Sequence, residues 1–153
     1  MRICLLLGLL MLFGCNKESE QLLQDIQQIQ AYLQTNNIQA TEDEAAHYFF
    51  SIISSSTDTL SPARYAGLKV ELRYTAQLLD GTVLHNSNGQ VEQIELDDAI
   101  IGWQLALPRM DINETMLLIL PSRLAYGEEG TDRIPPHSVL LFEIELLDIF
   151  PRF

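Results

Sequence analysis

The sequence predicts an α+β domain: an antiparallel sheet of about five strands packed on one short helix, with a further helix ahead of it. Residues 69–78 alternate strictly, with Val70, Leu72, Tyr74, Ala76 and Leu78 on one face and Lys69, Glu71, Arg73, Thr75 and Gln77 on the other. That is the period of a half-buried strand. Residues 139–149 repeat the pattern, with Leu140, Phe142, Ile144 and Leu146 inward and Glu143 and Glu145 outward. Upstream, Leu22, Ile26, Ile29 and Leu33 recur every three or four residues, the apolar stripe of an amphipathic helix over 20–36.

Composition sets the bounds. The 153 residues suit one domain with short extras, and 47% hydrophobic against 20% charged residues is a globular balance. Nine Lys and Arg face 21 Asp and Glu, a net charge of −12 that repels nucleic acid and anionic headgroups. Two cysteines cannot build a disulfide framework, and His47, His85 and His137 lack metal-ligand spacing. No metal and no cofactor is expected.

The chain opens with Arg2 and an apolar run over 3–13, about half the ~20 residues that span a bilayer but enough for a signal-peptide core. Leu12-Phe13-Gly14-Cys15 resembles the bacterial lipobox, in which a small residue precedes a cysteine that is acylated and becomes the new N-terminus. The expected division is a lipoprotein signal peptide over 1–14, a lipid-anchored tether with a helical spacer over 15–44, and a folded domain over 45–150. Cys15 would hold the protein to a membrane of the cell envelope, facing the periplasm.

Within the tether, the Gln-rich face of helix 20–36 should be solvated, and Asn36-Asn37 is a stop signal. Its plain role is a spacer that packs on the domain or lifts it from the membrane; a dimerising or partner-binding helix is the alternative. An acidic link at 41–44 leads to a strand over 47–53 and a polar loop over 54–62. After strand 69–78, Asp80-Gly81 signals a hairpin returning through 82–85. A short strand is read at 92–96 and a helix at 98–107 built around Ile100, Ile101, Trp103 and Leu105, which Pro108 should end. Asn113 suits a tight turn before an apolar strand at 116–120, because Asn tolerates left-handed backbone. The loop that follows carries Tyr126-Gly127 and Pro135-Pro136, and 139–149 closes the sheet.

Four segments fall in a telling order: Val70-Glu71-Leu72-Arg73-Tyr74-Thr75 running through Asp80-Gly81-Thr82 to Leu84, then Ile100-Ile101-Gly102-Trp103, then Ala125-Tyr126-Gly127, and last 134–147. Together they resemble the FKBP-type peptidyl-prolyl cis-trans isomerases over residues 65–149. The anchored arrangement resembles the FKBP lipoproteins of gliding-motility systems. The resemblance implies an FKBP-like sheet wrapped on its short helix, and a pocket with Trp103 as floor beneath a proline ring. Tyr74, Leu84, Ile100, Ile134 and Phe142 would form its walls. The Tyr126 hydroxyl and the Ile100 backbone N–H would hold substrate carbonyls, with His85 and Ala99 at the rim. Without the resemblance, Tyr74, Ile100 and Phe142 read as plain core, whereas Trp103 and Tyr126 have less reason to be buried.

The sequence departs from the family at several of these places. Leu84 stands where Phe is usual, His85 where Asp is usual and Ala99 where Val is usual. Glu92 or Gln93 occupies a position often aromatic, and the turns near Asp97-Asp98 and between Gly127 and Pro135 are shortened. These changes touch the rim more than the floor, so macrolide affinity should change before isomerase activity is lost.

The chemistry suits such residues. Rotation about an X–Pro bond crosses a barrier of ~18–20 kcal/mol that arises from amide resonance, with cis and trans close in energy. Catalysis needs a pocket that binds the twisted amide better than either planar form, and an apolar wall favours that less polar state. The reading is a prolyl isomerase acting on proline-containing polypeptides of the envelope. The alternative is a non-catalytic FKBP-like binding module or chaperone in a membrane-associated assembly, since a fold does not guarantee its usual function.

Overall fold

A computed structural model describes the backbone of residues 4–55 and 68–151 and the side chains of residues 17–55 and 69–150. Helix α1 (Cys4–Thr35) includes the predicted helix and extends toward the N-terminus. It ends as the Asn pair predicts. Asn37 is left-handed (φ 53°), the Ile38 N–H bonds the Leu33 carbonyl and the Asn37 N–H bonds the Gln34 carbonyl, so the last carbonyls are satisfied.

The sheet has seven strands rather than about five. They are β1 (Thr41–Glu42), β2 (Phe49–Ser54), β3 (Leu68–Leu78), β4 (Val83–Asn86), β5 (Glu92–Glu95), β6 (Thr115–Leu120) and β7 (Leu140–Pro151). All pairings are antiparallel, in the order β1-β2-β6-β7-β3-β4, with β5 also on β3. The acidic link, read as a connector, supplies β1, where Thr41 pairs Phe50 and Glu42 pairs Phe49. Strand β2 starts two residues later than expected because His47 is left-handed (φ 63°) and its N–H closes a turn on the Asp43 carbonyl. Most of the predicted polar loop, residues 56–62, lies outside the described residues.

Strand β3 is the axis of the fold. It pairs β7 along its whole length, from Leu68 opposite Pro151 to Leu78 opposite Leu140. On its other edge β5 covers Lys69 to Leu72 and β4 covers Thr75 to Gln77. At the Asp80-Gly81 turn only Gly81 takes positive φ (89°), while the Asp80 carboxylate accepts the Thr82 N–H.

The helix read at 98–107 is shorter than expected: α2 spans Ile101–Ala106, with single 3-10 turns at Leu96–Asp98 and Leu107–Arg109. Ala99 and Ile100 between them are extended, and the α-helix is capped at Leu107, just before Pro108, as expected, with Pro108 itself inside the second 3-10 turn. Ile101 and Leu105 face solvent at 55% and 42% exposure, while Gly102, Trp103 and Ala106 face the sheet. The approach is close: a Cβ on Gly102 would stand 2.2 Å from the buried Leu120 side chain.

Both faces of the sheet are covered. On one side Val70, Leu72, Leu118, Leu120, Ile144 and Leu146 form a core with Trp103, Ala106, Leu107 and Met110. On the other, Phe49, Ile119, Val139 and Leu141 pack with Ile29 of α1 and, beside it, Ile26, Tyr32 and Leu33. Of the two spacer readings, the packed one describes the structure.

Candidate active site

Strand register gathers the site. On β3 the core-facing residues are Val70, Leu72, Tyr74 and Ala76. Ala76 pairs His85 and Leu72 pairs Glu92, so Tyr74, His85 and Glu92 share one face of the sheet. The register slips between Ala76 and Gln77, whose partners are His85 and Val83. Leu84 is the extra residue of that bulge. A bulge re-aims side chains, which explains how consecutive residues of one strand, Leu84 and His85, both line the same cavity.

That cavity, about 450 Å³, is lined by Tyr74, Leu84, His85, Ala99, Ile100, Trp103, Tyr126, Ile134 and Phe142, together with Ala76, Ile94, Asp98, Thr131, Arg133 and Leu140. All nine pocket residues named from sequence therefore lie around one space. Sequence reasoning missed the other six. Ala76 and Leu140 carried the inward phase of their strands, and Ile94 is the apolar residue of β5. No comparable signal marks Asp98, Thr131 or Arg133.

Trp103 lies at the bottom, 4% exposed, so the expectation that it has little reason to be buried is corrected. It meets Tyr74 and Phe142 edge-on, with centroids 4.9 Å and 5.4 Å away and planes at 86° and 76°. Such edge-to-face pairs place the positive ring edge on the negative ring face. Among the described residues its Nε1 and the Tyr48 hydroxyl are buried without a hydrogen-bond partner.

The rim is a polar chain. Glu92 Oε1 lies 2.7 Å from His85 Nε2 and accepts the Ser87 hydroxyl at 2.7 Å, while Ser87 Oγ accepts the Tyr74 N–H at 3.0 Å. Burial works against ionisation of Glu92, but the bonds from Ser87 and His85 and the His85 charge outweigh it and hold its carboxyl below the ordinary value. The Tyr74 hydroxyl is pushed up to about 12 by burial, then by the Glu92 charge and the nearby Tyr126. It stays a neutral donor.

The opposite wall is a self-bonded loop. Tyr126 is 41% exposed, the Gly130 N–H bonds its carbonyl, and the Ile134 N–H bonds Thr131 Oγ1. Arg133 ties this loop to the bulge by donating to the Leu84 carbonyl at 3.0 Å. Among the described residues no three His, Cys, Asp or Glu side chains converge as a metal site, and no helix is long and apolar enough to cross a membrane. The side chain of Cys15 lies outside the described ones.

Residues 63–147 match the family described as FKBP-type peptidyl-prolyl cis-trans isomerase. The FKBP-type 22 kDa peptidyl-prolyl cis-trans isomerase of Escherichia coli (strain K12) is 42% identical over 84 residues, 53% of this chain and 41% of that protein. The isomerase FkpA of the same strain is 38% identical over 84 residues, 54% of this chain and 31% of that one. The chain thus matches less than half the length of these curated relatives. Among solved structures, FkpA from Escherichia coli superposes with a TM-score of 0.72 at 24% identity, covering 95% of this chain and 72% of that one, a likeness of fold. A peptidyl-prolyl cis-trans isomerase from Pseudomonas syringae pv. tomato gives 0.69 at 30% identity, over 86% and 94% of the two chains.

Proposed function

The chain belongs to the FKBP-type peptidyl-prolyl cis-trans isomerases, and on that premise we propose that it catalyses rotation about X–Pro bonds in polypeptides. The observation that carries the reading is the aromatic well itself: Trp103 flanked edge-on by Tyr74 and Phe142 at the end of a cavity of about 450 Å³, large enough for a proline ring. In this reading the ring enters the well and Trp103 supports it from below. Tyr126 donates its hydroxyl to one substrate carbonyl and the Ile100 N–H holds another. The walls made by Leu84, Ile134 and Phe142 exclude water, which favours the twisted amide, whose charge separation is smaller than that of the planar forms. His85 and Ala99 shape the rim where neighbouring substrate residues and macrolide ligands would sit.

The second part of the proposal concerns place. The apolar run over 3–13 followed by Gly14-Cys15 supports lipid anchoring at Cys15, with the isomerase domain held at the envelope and facing the periplasm. Fatty-acid labelling that disappears in Cys15→Ala would support this, and labelling that persists would sink it.

For the activity, a protease-free isomerisation assay on the full chain in mild detergent is decisive. Acceleration that falls in Trp103→Leu and Tyr126→Phe, both checked for folding, is the expected result. No acceleration across several residues preceding proline would leave the domain a non-catalytic binding module.

A further inference from the structure

On the flank of the apolar stripe of α1, three residues after Leu22 and four before Ile29, lies a carboxylate that is wholly buried: Asp25 is 0% exposed. A buried carboxylate is costly unless its oxygens are hydrogen-bonded. Three neutral donors hold this one. Gln21 Nε2 donates to Oδ1 at 2.8 Å, while the Ser122 N–H and the Ser122 hydroxyl donate to Oδ2 at 2.8 Å and 2.6 Å. Ser122 opens the 3-10 turn Ser122–Leu124, where the first N–H groups have no partner within the turn. Asp25 therefore caps that turn from another helix, 97 positions away in sequence.

The Ser122 carbonyl in turn accepts the Ala125 N–H at 3.0 Å and the Gly127 N–H at 2.9 Å, the amides on either side of Tyr126. One residue thus joins α1 to the backbone that presents the Tyr126 hydroxyl. A cleft of about 560 Å³, lined in part by Gln21, Asp25, Ser122 and Gly127, runs between the helix and this loop, and the Asp25–Ser122 bonds link its two sides. We infer that Asp25 is a positioning residue that acts through Ser122 to hold Tyr126 in place, making docked α1 part of the catalytic unit. The inference rests on the isomerase reading of the pocket for its effect on rate, but not for its effect on the loop.

The test uses the full chain in detergent, with Asp25→Ala and Asp25→Asn each made alone and in the Tyr126→Phe background. Amide exchange at Ala125 and Gly127 should rise about tenfold or more in Asp25→Ala while the β3 and β7 amides hold. Isomerisation kcat/KM should fall about three- to tenfold in the Tyr126 background and by less than about twofold in the Tyr126→Phe background, because the two changes act on one interaction. Asp25→Asn, whose amide oxygen can still accept from Ser122, should recover most of the loss and keeps the test open should the alanine variant unfold. Equal losses in both backgrounds, or unchanged exchange at Ala125 and Gly127, would overturn the inference. A chain with no isomerase activity would sink the reading of the pocket, and the exchange measurement would still decide whether Asp25 orders the loop.

Discussion

The imidazole of His85 lies flat against the phenol ring of Tyr74, centroids 4.4 Å apart and planes 20° from parallel. His85 also meets Glu92 through Nε2, so it is clamped between a ring and a carboxylate rather than swinging in solvent. Removing it with His85→Ala should destabilise the fold by about 1 kcal/mol, the usual worth of an aromatic pair. Tyr74 keeps its edge contact with Trp103, so catalysis should fall less than in Trp103→Leu. Urea unfolding and the isomerisation assay read both. A loss of activity as large as that of the Trp103 change would show that His85 bears on the substrate itself.

Glu92 gives the rim a pH dependence of defined sign. Its carboxyl is held below the ordinary value of 4.5, so the ionised form favours the folded state. That contribution is fully present above about pH 4.5 and is lost as pH falls through the lowered folded value. Protonated Glu92 resembles glutamine in charge and in acceptor capacity. The Tm of Glu92→Gln should therefore lie below that of the unsubstituted chain at neutral pH, with the gap closing under acid. A gap that stays constant from neutral to acidic pH would mean that the charge contributes nothing.

What the sequence made legible follows the range of the interactions. Strands β3 and β7 show in the chain because each buries one face along its length, and alternation is a local signal. The pocket could be named because its motifs keep their order and spacing, not because any periodicity pointed to it. Helix α2 was read too long, with Ile101 and Leu105 as core, since Ile100, Ile101, Trp103 and Leu105 resemble an apolar stripe. The extended backbone at Ala99 and Ile100 starts the helix later and turns Gly102, Trp103 and Ala106 inward instead. Strand β1 and the Asp25–Ser122 contact were illegible for a different reason, whereas packing of α1 on the domain is one of the two spacer readings. Asp25 flanks the apolar stripe with no local signal of a partner, and only the fold brings Ser122 to it.

Arg109 holds the β1–β2 corner to the segment after α2. Its guanidinium lies 5.7 Å from the Tyr48 ring centroid and 5.5 Å from that of Phe50, and Nη2 bonds the Asp43 carboxylate. Burial pushes the Tyr48 hydroxyl up, and the Arg109 cation works against that shift. Lysine keeps the charge but loses the planar group that lies over two rings while bonding a carboxylate. Arg109→Lys should cost about 1 kcal/mol in urea unfolding. Because Arg109 is not among the pocket-lining residues, isomerisation by the folded variant should be unchanged; a matching fall in kcat would contradict that separation.

Gly130 is where the Tyr126 loop leaves no room. Its φ is 62°, in the left-handed region, and a Cβ there would stand 2.3 Å from the Ile134 carbonyl oxygen and 2.9 Å from Pro136 N. These are backbone atoms, so no side-chain rotation relieves the overlap. The loop must shift, and with it the Gly130 N–H bond to the Tyr126 carbonyl and the Thr131 N–H bond to the Ile134 carbonyl. Tyr126 and Ile134 both line the cavity, so Gly130→Ala should move two walls at once. We expect a stability cost of about 1–3 kcal/mol from the strained backbone. A larger proportional loss in kcat/KM than in stability is the signature of displaced walls, read by isomerisation kinetics beside thermal unfolding. Gly127→Ala is the control, because Gly127 is also left-handed (φ 60°) but a Cβ there meets nothing within 4 Å. Equal damage from the two substitutions would mean that backbone conformation alone, and not crowding against Ile134 and Pro136, dictates glycine in this loop.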